Sequence, residues 1–148
     1  MLTPEEQAAI RDYTDTGYNQ INRQLREGKI SPVVQKKIDA LNRALDRLPR
    51  FRGDVYRGAR IPDLRLLTKY RAVGTEVVED AFTSSSRSPL KAFSGNVRFY
   101  LISRNGREVS KWSAYPDEDE VIFKPGTRFR VLDFVRTGRD IEVFLEEV

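Results

Sequence analysis

Residues 116–131 read Pro116-Asp117-Glu118-Asp119-Glu120-Val121-Ile122-Phe123-Lys124-Pro125-Gly126-Thr127-Arg128-Phe129-Arg130-Val131. A dense acidic run opens directly into an apolar strand, a proline-glycine turn follows, and a second strand begins beyond it. Adjacent carboxylates repel one another and are dispersed along a chain unless something uses them. In extended backbone, residues two apart face the same side, so Glu118 and Glu120 are expected to present two carboxylates to one place, ~7 Å apart at their Cα atoms. At that spacing one group can work on a substrate while the other handles its partner.

The strand pattern continues on both sides of this stretch. Short segments rich in β-branched and aromatic residues occur at 54–58, 75–78, 81–84, 97–102, 120–124, 128–135 and 141–145. Thr137-Gly138-Arg139 reads as a hairpin turn between the last two. The first third has helical periodicity instead. Thr3, Pro4 and Glu6 form a capping-box signature for a helix running to about Tyr13. A second helix is predicted from near Gly17 to Glu27, with Ile21 and Leu25 buried and Gly28 as its stop. Ser31-Pro32 starts a third, whose Val34, Ile38, Leu41, Leu45 and Leu48 recur at helical spacing until Pro49 and read as core. The fold class is therefore α+β: helices over about 1–50, then a mostly antiparallel sheet over about 51–148.

A chain of 148 residues fits one domain and at that size buries roughly 70% of the surface its unfolded form exposes. It has no cysteine and no histidine. Disulfides, thiolate nucleophiles, cysteine metal sites and the commonest general base are thereby removed. Any ionisable chemistry must come from carboxylates, arginine, lysine, tyrosine and hydroxyls. The N-terminus shows no signal-peptide pattern and no long apolar span occurs, so no membrane insertion is expected. The net charge of +4 is spread along the chain, which favours a solvated basic surface over a nucleic-acid partner and suits an anionic ligand or an acidic protein equally well.

Three elements could carry chemistry. Arg57 lies on a predicted strand and is followed by Gly58. It reads either as a surface ion-pair partner or as a phosphate clamp, with the glycine admitting a ligand close to the backbone. Phe82-Thr83-Ser84-Ser85-Ser86 ends a strand in hydroxyls; these mark a turn, or orient a carboxylate and hold a ligand. Without histidine to activate it, a serine nucleophile is disfavoured, with a lysine base as the remaining alternative. The Glu118-Asp119-Glu120 run is a solvated acidic turn, an oxygen-ligand metal site or a catalytic pair. It lacks the glycine and spaced ligands of a calcium loop, so calcium is not expected, and no metal is assigned to the site.

In order, a strand arginine, a strand-borne Phe-x-Ser-Ser-Ser and a Glu-x-Glu leading a strand resemble the arginine–serine–glutamate class of mono-ADP-ribosyltransferases. Residues 116–131 resemble that family's catalytic strand, proline-glycine turn and following strand almost throughout. The likeness covers roughly Val55 to the C-terminus, and the helical third matches in kind. One departure is Ser84-Ser85-Ser86, where the family usually has Ser-Thr-Ser. Starting the motif at Ser84 gives Phe82 the family's aromatic place two residues earlier; a register beginning at Thr83 is the alternative.

The resemblance implies a split sheet and transfer of ADP-ribose from NAD, a substrate here, with nicotinamide leaving. Glu120 would stabilise the oxocarbenium-like centre and bind the ribose 2′-hydroxyl, Ser84 would hold Glu120, and Arg57 would grip the diphosphate beside Gly58. Ser84 and Ser86 are assigned to the NAD site. Residues 87–93 take the place of the family's phosphate–nicotinamide loop, on which Phe93 stacks against NAD or is core, and Arg98 contacts phosphate or is a surface charge. Glu118 is the family's mark for an arginine acceptor, whose guanidinium must be bound and relieved of a proton. Tyr115 and Trp112 fall where the target protein should meet the enzyme, with a core role as the alternative for Trp112. The competing functions are a NAD glycohydrolase, a nucleotide-binding module without turnover, and modification of a nucleic-acid base. By the same resemblance the chain is expected to be a toxin or effector, secreted or delivered into the cytoplasm of a target cell, with an immunity protein as a further partner.

Overall fold

The computed structural model describes all 148 residues, Met1–Val148. Helix α1 (Pro4–Asp12) starts on a complete capping box: the Glu6 N–H donates to Thr3 Oγ1 at 3.1 Å and the Thr3 N–H to Glu6 Oε1 at 2.9 Å. Helix α2 (Tyr18–Glu27) ends on Gly28 in the left-handed conformation, φ 72°, and α3 (Pro32–Asp46) is capped by the Ser31 hydroxyl. Where the sequence predicts a break between the first two helices, a π-turn, Tyr13–Gly17, carries the helix through. Gly17 makes this turn fit, because a Cβ there would stand 2.3 Å from the Asp12 carboxylate. π-Turns inside helices are often found at functional sites.

The seven strands are β1 (Arg50–Ala59), β2 (Glu76–Glu79), β3 (Thr83–Ser86), β4 (Val97–Glu108), β5 (Glu120–Phe123), β6 (Thr127–Thr137) and β7 (Asp140–Glu147). Their order is β1-β3-β5-β4-β7-β6-β2, and β1 also pairs with β4. Strands β1, β3, β5 and β4 thus close a ring. Every pairing is antiparallel except β4 with β7. The predicted hairpin joins β6 to β7 through Gly138 and Arg139, with Thr137 opposite Asp140. Strand β4 runs past its apolar half to Glu108. There the buried Glu147 carboxylate accepts the Arg104 and Asn105 N–H groups, each at 2.7 Å. No helix is long and apolar enough to cross a membrane.

Strand β5 is the hinge of the packing. Its four residues are all buried, and alternate side chains face opposite sides. Val121 and Phe123 join a sheet core with Val55, Phe99, Leu101 and Phe129, whereas Ile122 joins the helical core of Ile10, Tyr13, Ile21, Leu41 and Phe82. Glu120, at the head of this strand, belongs to the side that faces the helices. The short helix α4 (Pro89–Ala92) and the loop after it lie across β1. Gly58 permits that contact, since a Cβ there would stand 2.4 Å from both the Ala92 carbonyl and the Ser94 N–H nitrogen. The close approach expected from this glycine is thus made by the protein's own backbone.

Candidate active site

Strand pairing assembles the cleft. Tyr56 of β1 sits opposite Ser86 of β3, and Ser86 sits opposite Glu120 of β5. Arg57 follows Tyr56, and its guanidinium donates to the Ser84 carbonyl at 2.9 Å, which fixes the arginine against β3. The three serines divide the work by strand periodicity. Ser85 faces away and donates to the Val121 carbonyl at 2.8 Å. The Ser86 hydroxyl donates to the Glu118 carbonyl at 2.5 Å and accepts the Ser88 N–H at 3.0 Å, so it holds the turn that carries Glu118. Ser84 faces the buried phenol of Tyr13, with 2.9 Å between the two oxygens.

Glu118 and Glu120 share a cavity, though not by the extended spacing the sequence predicts. Pro116–Glu118 is a 3-10 turn, and Asp119 takes the left-handed conformation, φ 50°, before the strand begins. The two carboxylates then face the same space from a turn and from a strand end. Asp119, placed by the turn, pairs with Arg87 at 3.1 Å. Glu118 is exposed, whereas Glu120 is 7% exposed. Burial pushes the Glu120 carboxyl up to about 7, with Glu118 adding to the rise and Ser84 and Arg57 opposing it.

Three hollows meet at Arg57. The smallest, about 160 Å³, is walled by Tyr56, Gly58, Ser84, Ser86, Glu118 and Glu120. A polar cavity of about 500 Å³ lies between the π-turn and the acidic turn and is lined by Asp15, Tyr18, Asn22, Tyr115, Glu118 and Glu120. A more apolar one of about 450 Å³ runs toward Ile61, Leu66, Tyr70 and Phe99, with Arg26 and Lys69 at its edge. The structure therefore brings Arg57, Gly58, Ser84, Ser86, Glu118 and Glu120 to one cleft. Phe93 and Arg98 lie beside it: Phe93 packs against Tyr56 and Tyr100 at 5.8 Å and 5.3 Å between ring centres, and the Arg98 guanidinium sits 5.4 Å from its ring. Trp112 packs against the helical core, while Tyr115 is exposed and donates to Asp15 at 3.0 Å.

Sequence reasoning missed the helical side of the cleft. Asn22 is 7% exposed between the apolar Ile21 and Leu25, and Arg26 follows it by one turn. A polar side chain inside a buried stripe, with a cation one turn later, was the available signal.

Against known proteins, the family model described as ADP-ribosyltransferase exoenzyme matches residues 1–143. The chain belongs to that family. It is 40% identical over 152 residues to the putative NAD(+)–arginine ADP-ribosyltransferase Mav of Mycobacterium avium (strain 104), covering 98% of this chain and 18% of that protein. It is 34% identical over 151 residues to the NAD(+)–protein-arginine ADP-ribosyltransferase Tre1 of Pseudomonas putida (strain GB-1), covering 100% of this chain and 30% of that one. The chain thus spans a third or less of the length of these two relatives. A crystal structure of the ADP-ribosyltransferase Vis in complex with agmatine, a toxin from Vibrio splendidus, superimposes with a TM-score of 0.87 at 29% identity, covering 100% of this chain and 76% of that one.

Proposed function

We propose that residues 1–148 form one catalytic unit that transfers ADP-ribose from NAD to an arginine of a target protein and releases nicotinamide. The observation that carries this reading is the pairing of two unlike carboxylates at one cavity, buried Glu120 and exposed Glu118, with Arg57 and Ser84 beside them. The names of Mav and Tre1 as arginine ADP-ribosyltransferases and the agmatine complex of Vis support it, because agmatine carries the guanidinium of arginine.

On this reading the nicotinamide ribose occupies the small hollow and the adenosine the larger apolar one, so the diphosphate crosses Arg57. A guanidinium already anchored to β3 presents its remaining donors to phosphate oxygens with little entropy left to lose. Breaking the bond between nicotinamide and C1 of the ribose sends the electron pair to the nicotinamide ring and leaves positive charge on the sugar. Ionised Glu120 stabilises that charge in a site shielded from water, where its effect is strongest. The acceptor guanidinium enters the polar cavity, is held by Glu118, and attacks C1 through one nitrogen. The proton that this nitrogen sheds passes to Glu118. Glu118 suits this work because it is exposed to an incoming side chain, and Ser86 fixes its backbone.

The biological setting follows from the same reading: a toxin or effector acting inside a target cell, with an inhibitor protein that covers the cleft in the producing cell. The test is mass spectrometry of target-cell lysate treated with the chain and NAD. ADP-ribose on protein arginine is the expected product. Label confined to nuclease-sensitive material, or free ADP-ribose alone, contradicts the proposal.

A further inference from the structure

Tyr13 and Asn22 are buried polar side chains in the helical layer, 0% and 7% exposed; Asn22 borders the polar cavity, and neither has been given a role in the transfer above. Their hydrogen bonds have a direction. The Phe82 N–H donates to Asn22 Oδ1 at 3.0 Å, which turns the Asn22 amide nitrogen toward Tyr13, to whose oxygen it donates at 3.2 Å. The one other partner of the phenol is Ser84 Oγ at 2.9 Å. If Ser84 were the donor in that bond, the phenolic proton would be buried without an acceptor. Tyr13 is therefore the donor, and the Ser84 proton is left for the cavity wall that Ser84 shares with Glu120, where Ser84 favours the ionised carboxylate. The Tyr13 ring is held for this task by edge contacts to Phe82 and Tyr18 at 5.4 Å and 6.1 Å between ring centres.

We propose that Asn22 and Tyr13 are positioning residues: a one-way chain of donors, Phe82 N–H to Asn22 to Tyr13 to Ser84, aims the Ser84 hydroxyl at Glu120 and so orients the carboxylate from the helical layer. The proposal rests on the reading of Glu120 as the carboxylate that meets the ribose. It gives the π-turn a purpose, since that turn carries Tyr13 into the core and Asp15 to the cleft surface. The groups that act on Glu120 are Glu118 from the preceding turn, Arg57 from β1 and Ser84 from β3, and Glu120 in turn acts on Tyr13 from the π-turn. Burial holds the Tyr13 phenol above its ordinary range, so it remains a donor throughout the working pH range.

The test is a carbon-13 NMR titration of the Glu120 carboxyl, assigned by its loss in Glu120→Gln. A bond from Ser84 favours the ionised carboxylate, so weakening it raises the midpoint. In Tyr13→Phe the midpoint should rise by roughly 0.5–1 unit, the equivalent of one ordinary hydrogen bond. Asn22→Leu should move it in the same direction by less. In a Ser84→Ala background, Tyr13→Phe should move it no further, because Tyr13 acts only through Ser84. In the transfer assay the acid limb of kcat should shift upward with the titration, while KM for NAD in Tyr13→Phe stays within about twofold, as removal of a group that does not touch substrate implies. An unchanged midpoint in folded Tyr13→Phe and Asn22→Leu would overturn the proposal, as would an equal shift with and without Ser84. The titration needs no turnover, so an inactive wild-type chain would count against the transferase reading while the midpoints still decide this one.

Discussion

Glu6 and Glu120 both have little accessible surface, 2% and 7%, but Glu6 lies shallow under the half-exposed side chains of Arg43 and Arg47 whereas Glu120 sits deep at the head of a buried strand, and their surroundings treat them oppositely. Glu6 is met by a donor and two cations: the Thr3 backbone N–H at 2.9 Å, and Arg47 and Arg43 at 3.4 Å and 3.8 Å. The backbone bond from Thr3 leads in holding its carboxyl below the ordinary 4.5 against the opposing effect of burial. Glu120 has Ser84 and a half-buried Arg57 already tied to a carbonyl, and burial prevails, lifting it to about 7. Low accessible surface alone does not set the charge of a carboxylate; its depth and the supply of donors do. The cap region completes its carboxylate and becomes a fixed joint, whereas the cleft leaves its carboxylate undersupplied, as the proposed encounter with a cationic transition state requires.

The two groups therefore affect stability in opposite ways. The depressed Glu6 contributes stability that is present above its unfolded value of 4.5 and is lost as pH falls through its folded value. For Glu120 the folded state keeps a proton that the unfolded chain has released, so stability falls as pH rises from 4.5 toward about 7 and then levels off. Such a cost at the position proposed to carry the chemistry is a common form of trade between activity and stability.

The largest expected effect belongs to Glu120→Gln, which should lower nicotinamide release by about 1,000-fold or more, as removal of a transition-state charge does; retention of activity would break the contrast. Arg57→Lys keeps the charge and loses the fork, and should lower kcat/KM for NAD by roughly 10- to 100-fold. The same Glu120→Gln protein should be more stable than wild type at pH 8, on the order of 1–3 kcal/mol in denaturant titration, with the gain gone near pH 4. Glu6→Gln should behave inversely, melting below wild type at pH 7 with a difference that narrows in acid. Smallest is Thr3→Ala, which should cost about 1 kcal/mol of stability and leave nicotinamide release unchanged.

How much was legible in the sequence differs between the two halves of the cleft. Helix caps at Thr3, Ser31 and Gly28 and the strand stretches around Val97 and Val121 are local signals, and they appear where local chemistry places them. Strand β3 starts at Thr83 and β4 reaches Glu108 because their ends are set by partners: Ser85 on Val121, and Glu147 on the N–H groups of Arg104 and Asn105. Arg57, Ser84, Glu118 and Glu120 could be picked out by their order along the chain. The fact that Glu118 reaches the cavity from a turn depends on the left-handed Asp119, which extended-strand reasoning does not contain. Tyr13 and Asn22 were hidden for a different reason. Periodicity assigns a buried helical position to packing, and only the pairing of helix with β3 shows that these two carry hydrogen bonds to the site.

The most direct measurement of the central claim is the product partition with NAD and agmatine, comparing wild type with Glu118→Gln. Wild type should yield ADP-ribosyl-agmatine with stoichiometric nicotinamide. Glu118→Gln should still release nicotinamide and form free ADP-ribose, with the adduct lost. An adduct that persists in Glu118→Gln, or a loss of both products in equal proportion, would contradict the division of labour between the two carboxylates.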